Sequence, residues 1–175
     1  LPLIDFGREG EYLYFVTPLL AQGDLADHLA RWGEPLPLAE VRRIALQLGD
    51  ALDAAHQAGV VHRDLKPANV LLDGRGNCLL SDFGIAKIDD GAGLTAAGTA
   101  IGTPQYMSPE QASGRTVDAR TDIYSIGIIA FEALTGQLPF TGDSPIAVAM
   151  KQINDPVPDL LSRYADVSAG LRAIV

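Results

Sequence analysis

The chain has 175 residues, of which 47% are hydrophobic, and its formal net charge is −9. This length fits about one domain with a buried core, and the acidic balance argues against nucleic acid or an anionic membrane as a main partner. A single cysteine, Cys78, excludes an internal disulfide, and the most apolar stretch, residues 123–134, is too short and too interrupted to span a bilayer.

The first part of the chain predicts two β-strands. Residues 3–6 form a largely apolar run, and residues 12–16 are rich in aromatic and β-branched side chains. Between them, residues 7–10 carry two glycines and predict the turn. We therefore expect a hairpin at the start of the chain.

Two helices are predicted next. The first covers residues 24–31, with Asp24 as a side-chain cap at its N-terminus. The second covers residues 38–58, because its apolar residues recur with a period near 3.6 and Gly59 follows as a stop signal. The long helix leads almost directly into the most informative stretch of the chain.

That stretch is residues 62–69, which read His-Arg-Asp-Leu-Lys-Pro-Ala-Asn, and residues 82–84, which read Asp-Phe-Gly. The two motifs resemble the catalytic loop and the metal-binding triplet of eukaryotic-like protein kinases. The lysine two positions after the aspartate resembles the serine/threonine branch of that family. The chain is thus similar to a bacterial eukaryotic-like (Hanks-type) serine/threonine kinase. The resemblance implies an α+β, protein-kinase-like fold with a mainly helical large lobe.

The resemblance implies a role for each polar residue of the two motifs. Asp64 would accept the proton of a substrate hydroxyl or orient that hydroxyl, and Lys66 would neutralise charge on the γ-phosphate of ATP. Asn69 completes the catalytic set, and with Asp82 it would hold Mg²⁺, or Mn²⁺ as an alternative, because both side chains offer hard oxygen ligands. Four further residues would have structural roles: His62, Arg63, Phe83 and Gly84.

Residues 70–72 and 78–80 predict two short strands around a glycine-rich turn. Such a hairpin would bring Asn69, which precedes one strand, close to Asp82, which follows the other. Leu71 resembles the residue that packs beneath the adenine ring of ATP, although an ordinary core position explains a leucine equally well.

By the same resemblance, residues 1–17 would be the end of the small lobe, residues 18–23 the hinge, and residues 24–175 a large lobe that ends in a late helix. The glycine-rich loop, strand lysine and helix glutamate that clamp ATP in this family would all precede the first residue. We therefore expect the chain to be a fragment of a longer protein and to be inactive by itself.

The hinge assignment implies a set of nucleotide contacts. Thr17 would be the gatekeeper beside the adenine pocket, and the backbone groups of Pro18 and Leu20 would bind the adenine edge. Asp24 would reach the ribose or cap the following helix, and the two roles are compatible.

Residues 89–99 are rich in glycine, alanine and threonine, a composition typical of a loop with little to bury. By resemblance this is the activation segment, in which Thr95 and Thr99 are candidate phosphorylation sites. A phosphate there would pair with Arg63 and with Lys87 and so order the loop. Unmodified linker threonines are the alternative.

Residues 102–110, Gly-Thr-Pro-Gln-Tyr-Met-Ser-Pro-Glu, resemble the substrate-docking loop of bacterial serine/threonine kinases. Thr103 would form hydrogen bonds near Asp64, which would link substrate docking to the base. In this family Glu110 pairs with an arginine of a later helix. Arg172 comes too early for that role, so we expect Glu110 to lack this partner.

An apolar pattern on nearly all faces predicts a buried helix over residues 121–134. Asp122, near its start, resembles the aspartate that accepts hydrogen bonds from the backbone of the His-Arg-Asp motif; a carboxylate favoured by the helix dipole is the alternative. Ser144 and Pro145 predict the start of another helix, which ends near Asn154.

The resemblance implies signalling through transfer of phosphate from ATP to serine and threonine hydroxyls of protein substrates, with a second kinase molecule as a candidate partner for autophosphorylation. A non-catalytic scaffold or binding module is an alternative, and the intact polar residues of both motifs argue against it. A small-molecule phosphotransferase is a weaker one, since the docking segment suits a peptide. We expect a cytoplasmic location, with any membrane anchor outside this chain, and neither nucleic-acid nor membrane contact from this segment.

Overall fold

The computed structural model describes residues 1–83 and 103–160. Within these ranges the chain folds into five α-helices and two separate two-stranded antiparallel sheets. Several predictions fall outside the described residues, namely those on Gly84, Lys87, Thr95, Thr99 and Arg172.

The elements follow the predicted order. They are β1 (Asp5–Glu9), β2 (Tyr12–Val16), α1 (Leu25–Trp32), α2 (Leu38–Gln57), β3 (Val70–Leu72), β4 (Cys78–Leu80), α3 (Pro109–Ala112), α4 (Arg120–Thr135) and α5 (Pro145–Asn154). Two 3-10 turns, Pro67–Asn69 and Pro104–Tyr106, precede β3 and α3.

The first hairpin is confirmed, but its turn is not where the sequence placed it. Strand β1 pairs with β2 from Asp5 opposite Val16 to Glu9 opposite Tyr12. The prediction of a turn over residues 7–10 was wrong, because most of this stretch continues the strand. The chain reverses later, where Gly10 has a φ of 63°, a left-handed conformation that glycine adopts without a steric penalty.

Both predicted helices of the first half are confirmed to within one residue. Helix α1 begins after Asp24, whose carboxylate accepts a hydrogen bond from the Asp27 N–H at 2.8 Å. Helix α2 ends before Gly59, which has a φ of 76°. The buried face of α2 follows the predicted periodicity and consists of Val41, Ile44, Leu48 and Leu52.

The core lies between α2, α4 and the β3–β4 hairpin. Helix α4 is apolar on several sides and buries Ile129, Phe131 and Leu134, as its pattern predicted. It packs against α2, while β4 covers another part of α2 and β3 contacts α1. The 62–69 loop enters this core between α2 and β3. None of the helices within the described ranges is both long enough and apolar enough to cross a membrane.

Candidate active site

The 62–69 loop brings three predicted site residues together. The Lys66 Nζ lies 3.1 Å from Asp64 Oδ2. The Asn69 Nδ2 donates to the Asp64 carbonyl at 2.8 Å and lies 3.3 Å from Asp64 Oδ2. The Asp64 carboxylate is therefore oriented by an amide and has a cation beside it. A carboxylate held in this way can accept the proton of a hydroxyl, and the cation can offset negative charge nearby.

A buried carboxylate holds the start of the 62–69 loop through hydrogen bonds to its backbone. Asp122, fully buried near the start of α4, accepts hydrogen bonds from the backbone N–H groups of His62 at 2.8 Å and Arg63 at 2.9 Å. The sequence assigned Asp122 a structural role of this kind. The His56 Nε2 lies 2.7 Å from Asp122 Oδ2, a contact that local sequence reasoning missed because 66 residues separate the two.

The His62 ring connects the loop to the chain beyond β4. It is fully buried, its Nε2 lies 2.9 Å from the Ser81 carbonyl oxygen, and its ring centroid lies 4.6 Å from that of Phe83. The Asp64 N–H donates to His62 Nδ1 at 3.3 Å. These contacts assign a neutral ring that accepts at Nδ1 and donates at Nε2. Thus His62 holds the two sequence motifs against each other.

The β3–β4 hairpin brings the residue before Asp82 into contact with Asn69, through the Asn69 backbone. The Ser81 N–H and Oγ both donate to the Asn69 carbonyl, at 3.0 and 3.1 Å. The next residue, Asp82, is exposed and has a φ of 52°.

The donor set of this site fits a hard divalent ion. The Asn69 Nδ2 is directed to Asp64, which leaves its Oδ1 for a metal, and Asp82 offers a carboxylate. Within residues 1–83 and 103–160, no group of three or more His, Cys, Asp and Glu side chains could hold a metal ion. A cation here would complete its coordination with phosphate oxygens and water, as Mg²⁺ commonly does.

Two of the predicted nucleotide-contacting residues, Asp24 and Leu71, are paired through the backbone. Asp24 forms an isolated antiparallel bridge with Leu71, and the Leu72 N–H donates to the Gly23 carbonyl at 3.0 Å. This pairing places the half-buried Leu71 next to the predicted hinge. Asp24 acts as the helix cap, and its contact with a ribose stays a prediction. The other predicted contacts precede the bridge: Thr17 is exposed, and Pro18 and Leu20 are half-buried.

A small cavity separates the 62–69 loop from the docking segment, which we define as residues 103–108. Arg63, Asp64, Lys66 and Thr103 contribute to its lining. The Nε of Arg63 is buried, and within the described residues it has no hydrogen-bond partner. Thr103 thus reaches the neighbourhood that the sequence predicted for it.

Helices α4 and α5 hold the docking segment in place. The Tyr106 hydroxyl donates to Glu132 Oε2 at 2.7 Å, and Ser125 Oγ donates to the Tyr106 carbonyl at 2.8 Å. The Gln152 Nε2 donates to the Gln105 carbonyl at 2.7 Å. Burial raises the pKa of the Glu132 carboxyl above its usual value, and the Tyr106 hydrogen bond partly offsets this rise. Sequence reasoning missed these supports, because they come from helix positions 19 to 47 residues away.

Glu110, for which the sequence predicted no arginine partner, is half-buried at the start of α3. It lines a cavity of about 360 Å³ together with Arg120 and Tyr124. Arg120 itself forms an exposed ion pair with Asp118 at 2.7 Å. The predicted lack of the family's arginine partner therefore stays a prediction.

The sequence of the chain is similar to those of known proteins. Residues 1–168 match the family described as "Protein kinase domain". The chain is 43% identical over 176 residues to serine/threonine-protein kinase pkn3 of Myxococcus xanthus, covering 95% of the chain and 32% of that protein. It is 47% identical over 144 residues to PknB of Mycolicibacterium smegmatis, covering 79% and 23%. For PknA of Mycobacterium tuberculosis the identity is 43% over 152 residues, covering 87% and 35%. The chain thus spans about a third of the length of these relatives, or less.

Proposed function

Because the chain belongs to the protein kinase domain family, we propose that the protein it comes from is a serine/threonine protein kinase. It would transfer the γ-phosphate of ATP to serine and threonine hydroxyls of protein substrates. The membership confirms the predicted α+β, protein-kinase-like fold. The three relatives named above are serine/threonine-protein kinases, which supports this branch of the family over the tyrosine branch.

One observation carries the proposal: the Asp64 carboxylate has the Asn69 amide 3.3 Å away and the Lys66 ammonium 3.1 Å away. A hydroxyl that donates to Asp64 would be aligned for attack as its proton is drawn away. Lys66 would then stabilise negative charge on the transferred group in the same small space. A scaffold needs none of these contacts, because binding alone requires neither a base nor a phosphate-facing cation.

The same reasoning assigns the cofactors. Asn69 Oδ1 and the Asp82 carboxylate would hold Mg²⁺, with Mn²⁺ as the alternative, and the metal would neutralise charge on the phosphates of bound ATP. The half-buried Leu71, bridged to the hinge by Asp24, would lie beneath the adenine. Thr17 would line the same pocket, and the backbone of Pro18 and Leu20 would bind the adenine edge.

We further propose that phosphorylation regulates this site. The buried, unpartnered Nε of Arg63 would place its guanidinium beside a phosphate on Thr95 or Thr99, and this pairing would order the activation segment. Thr103 would hydrogen-bond in the adjoining cavity where a substrate docks. A second kinase molecule would catalyse that transfer, with the γ-phosphate of its bound ATP passing to the threonine hydroxyl and ADP leaving.

Domain organisation and location follow as proposals. Residues 1–17 would be the end of the small lobe, residues 18–23 the hinge, and residues 24–175 the large lobe. The protein would act in signalling on the cytoplasmic side, where ATP and protein substrates are available.

The decisive experiment compares Asp64→Asn with the wild type in the full-length protein. We expect phosphate transfer to a serine-containing peptide to fall about a hundred- to ten-thousand-fold, because an amide cannot take the proton. The dissociation constant for ATP should stay the same. Asp50→Asn, on the exposed face of α2, makes the same chemical change away from the site and should keep full activity. Equal transfer by Asp64→Asn and wild type would refute the proposal, and a wild type that neither transfers phosphate nor binds ATP would favour the scaffold.

A further inference from the structure

Arg63, the residue before the proposed base, has an unusual backbone conformation. Its φ is 64°, in the left-handed region that residues other than glycine rarely adopt. Such a conformation persists only where surrounding groups hold it. Because Asp64 follows directly, the peptide bond of Arg63 helps to decide where the Asp64 carboxylate points.

Both sides of Arg63 are held by side chains from distant parts of the chain. Its N–H donates to Asp122 Oδ1 at 2.9 Å, and its carbonyl oxygen accepts from Gln111 Nε2 at 2.6 Å. Gln111 lies 48 residues further along the chain, in α3. The buried carboxylate and the side-chain amide therefore clamp the strained residue from opposite ends.

The oxygen of the Gln111 side-chain amide also forms a hydrogen bond. The Ser108 N–H donates to Gln111 Oε1 at 3.0 Å, and the Gln111 N–H donates to Ser108 Oγ at 3.3 Å. These reciprocal bonds form a capping box at the start of α3. The single side chain thus joins the end of the docking segment to the 62–69 loop.

Capping alone does not explain why this residue is an amide. Glutamate serves as well as glutamine at the third position of a capping box, because only the acceptor oxygen is needed there. The bond to the Arg63 carbonyl needs a donor, which a carboxylate lacks. The amide is therefore required by the 62–69 loop and not by the helix.

We propose that Gln111 is a positioning residue for the phosphotransfer reaction. It holds the Arg63 carbonyl so that Asp64 is aligned, and it couples that alignment to the folded docking segment. This inference rests on the proposed kinase function. Gln111 itself touches neither the nucleotide nor the reacting atoms; it acts through Arg63.

The test is Gln111→Glu in the full-length protein, because this change keeps the acceptor oxygen of the cap and replaces the donor with a negatively charged acceptor. We expect kcat to fall about ten-fold, the scale of one lost hydrogen bond, with the KM for ATP unchanged and Tm no more than about 5 °C below wild type, because the same bond also contributes to folding. Relative to wild type, activity should rise as pH falls, because a protonated carboxyl regains a donor. Backbone hydrogen exchange at residues 62–64 should be faster.

The control is Gln57→Glu, which removes an exposed amide bond to Asp53 at 2.7 Å and should leave kcat and its pH profile unchanged. Gln111→Met removes donor and acceptor together and should lower both kcat and Tm. Wild-type kcat and wild-type exchange in Gln111→Glu would overturn the inference. So would a loss of kcat that only follows a loss of Tm. A wild type without phosphotransfer would refute the kinase proposal instead, and hydrogen exchange at residues 62–64 would still report on the clamp.

Discussion

The two hairpins of this protein are built alike and placed very differently. The β1–β2 and β3–β4 pairs are both antiparallel, and each is closed by a turn that contains glycine. In β1–β2 all residues except one are exposed, including large apolar side chains such as Tyr12, at 82%, and Leu13, at 72%. In β3–β4 the first and last residues of each three-residue strand are buried, and Leu80 is only 4% exposed.

The difference shows that a strand pattern predicts pairing but not stability. A two-stranded hairpin is at best marginally stable in water, and it gains stability from what packs on it. The β3–β4 hairpin packs on α1 and α2, and burial raises the pKa of the Cys78 thiol in β4 to about 11. Among the described residues, β1–β2 contributes no side chain to the buried core.

The packed hairpin is also the one that is flanked by the two proposed metal ligands. Asn69 lies directly before β3, and Asp82 lies two residues after β4. Their relative position is thus set by strand pairing and by core packing together. The predicted nucleotide contacts at Thr17, Pro18 and Leu20 follow the exposed hairpin, where described neighbours constrain them less.

The largest effect on stability is expected when the buried Asp122 carboxylate, which holds the 62–69 loop, is removed. Asp122→Ala leaves the N–H groups of His62 and Arg63 without their acceptor. The free energy of unfolding should fall by about 3–5 kcal/mol, because unsatisfied buried groups lose their full hydrogen-bonding energy. Urea denaturation of the 175-residue chain measures this.

Asp118→Ala is the matched control, since Asp118 makes only exposed contacts, an ion pair with Arg120 and a hydrogen bond from the Arg120 N–H, and should cost about 1 kcal/mol or less. Hydrogen exchange after Asp122→Ala should increase at residues 62–83 and not at residues 5–16. An increase confined to the first hairpin would contradict the contrast between the two regions.

A matched pair of leucines measures the contrast directly. Leu80→Ala removes a buried side chain from β4 and should cost about 3 kcal/mol, through lost burial and the cavity left behind. Leu13→Ala removes an exposed side chain from β2 and should cost less than about 0.5 kcal/mol. Both values come from urea midpoints of the 175-residue chain. Similar losses for the two variants would mean that β1–β2 is packed more tightly than its exposure indicates.

The smallest expected effect is a pH dependence of the free energy of unfolding, caused by Glu132 in α4. The pKa of Glu132 is raised by burial, so the unfolded chain releases this proton at a lower pH than the folded chain does. The contribution of Glu132 to stability is therefore highest below the unfolded pKa, near 4.5, and is lost as pH rises through the folded pKa. Glu132→Gln should consequently gain stability relative to wild type as pH rises above about 4.5.

Tyr106→Phe sharpens this test, because it removes the hydrogen bond that lowers the pKa of Glu132. The pH dependence should become steeper in this variant and flatter in Glu132→Gln. Urea denaturation at several pH values measures both slopes, and a slope unchanged in either variant would refute the assignment to Glu132.

The sequence alone was sufficient for everything that depends on near neighbours. The periodicity of α2, the caps at Asp24 and Ser144, and the strands around the turn at residues 73–77 follow from backbone preferences over a few residues. The turn predicted at residues 7–10 was wrong because both glycines there favour a turn equally well. In the structure Gly7 is paired within β1, and the chain reverses only at Gly10. The motifs of residues 62–69 and 82–84 were likewise sufficient to predict the family.

Tertiary structure decided how those motifs are held. The hydrogen bonds from Arg63 to Asp122, from Gln111 to Arg63 and from Gln152 to Gln105 join residues 47 to 59 positions apart. No local pattern predicts such pairs, because each depends on which helix faces meet once the core has formed. The sequence therefore predicted which residues make up the site, whereas their geometry depends on the packing of α3, α4 and the β3–β4 hairpin around the 62–69 loop.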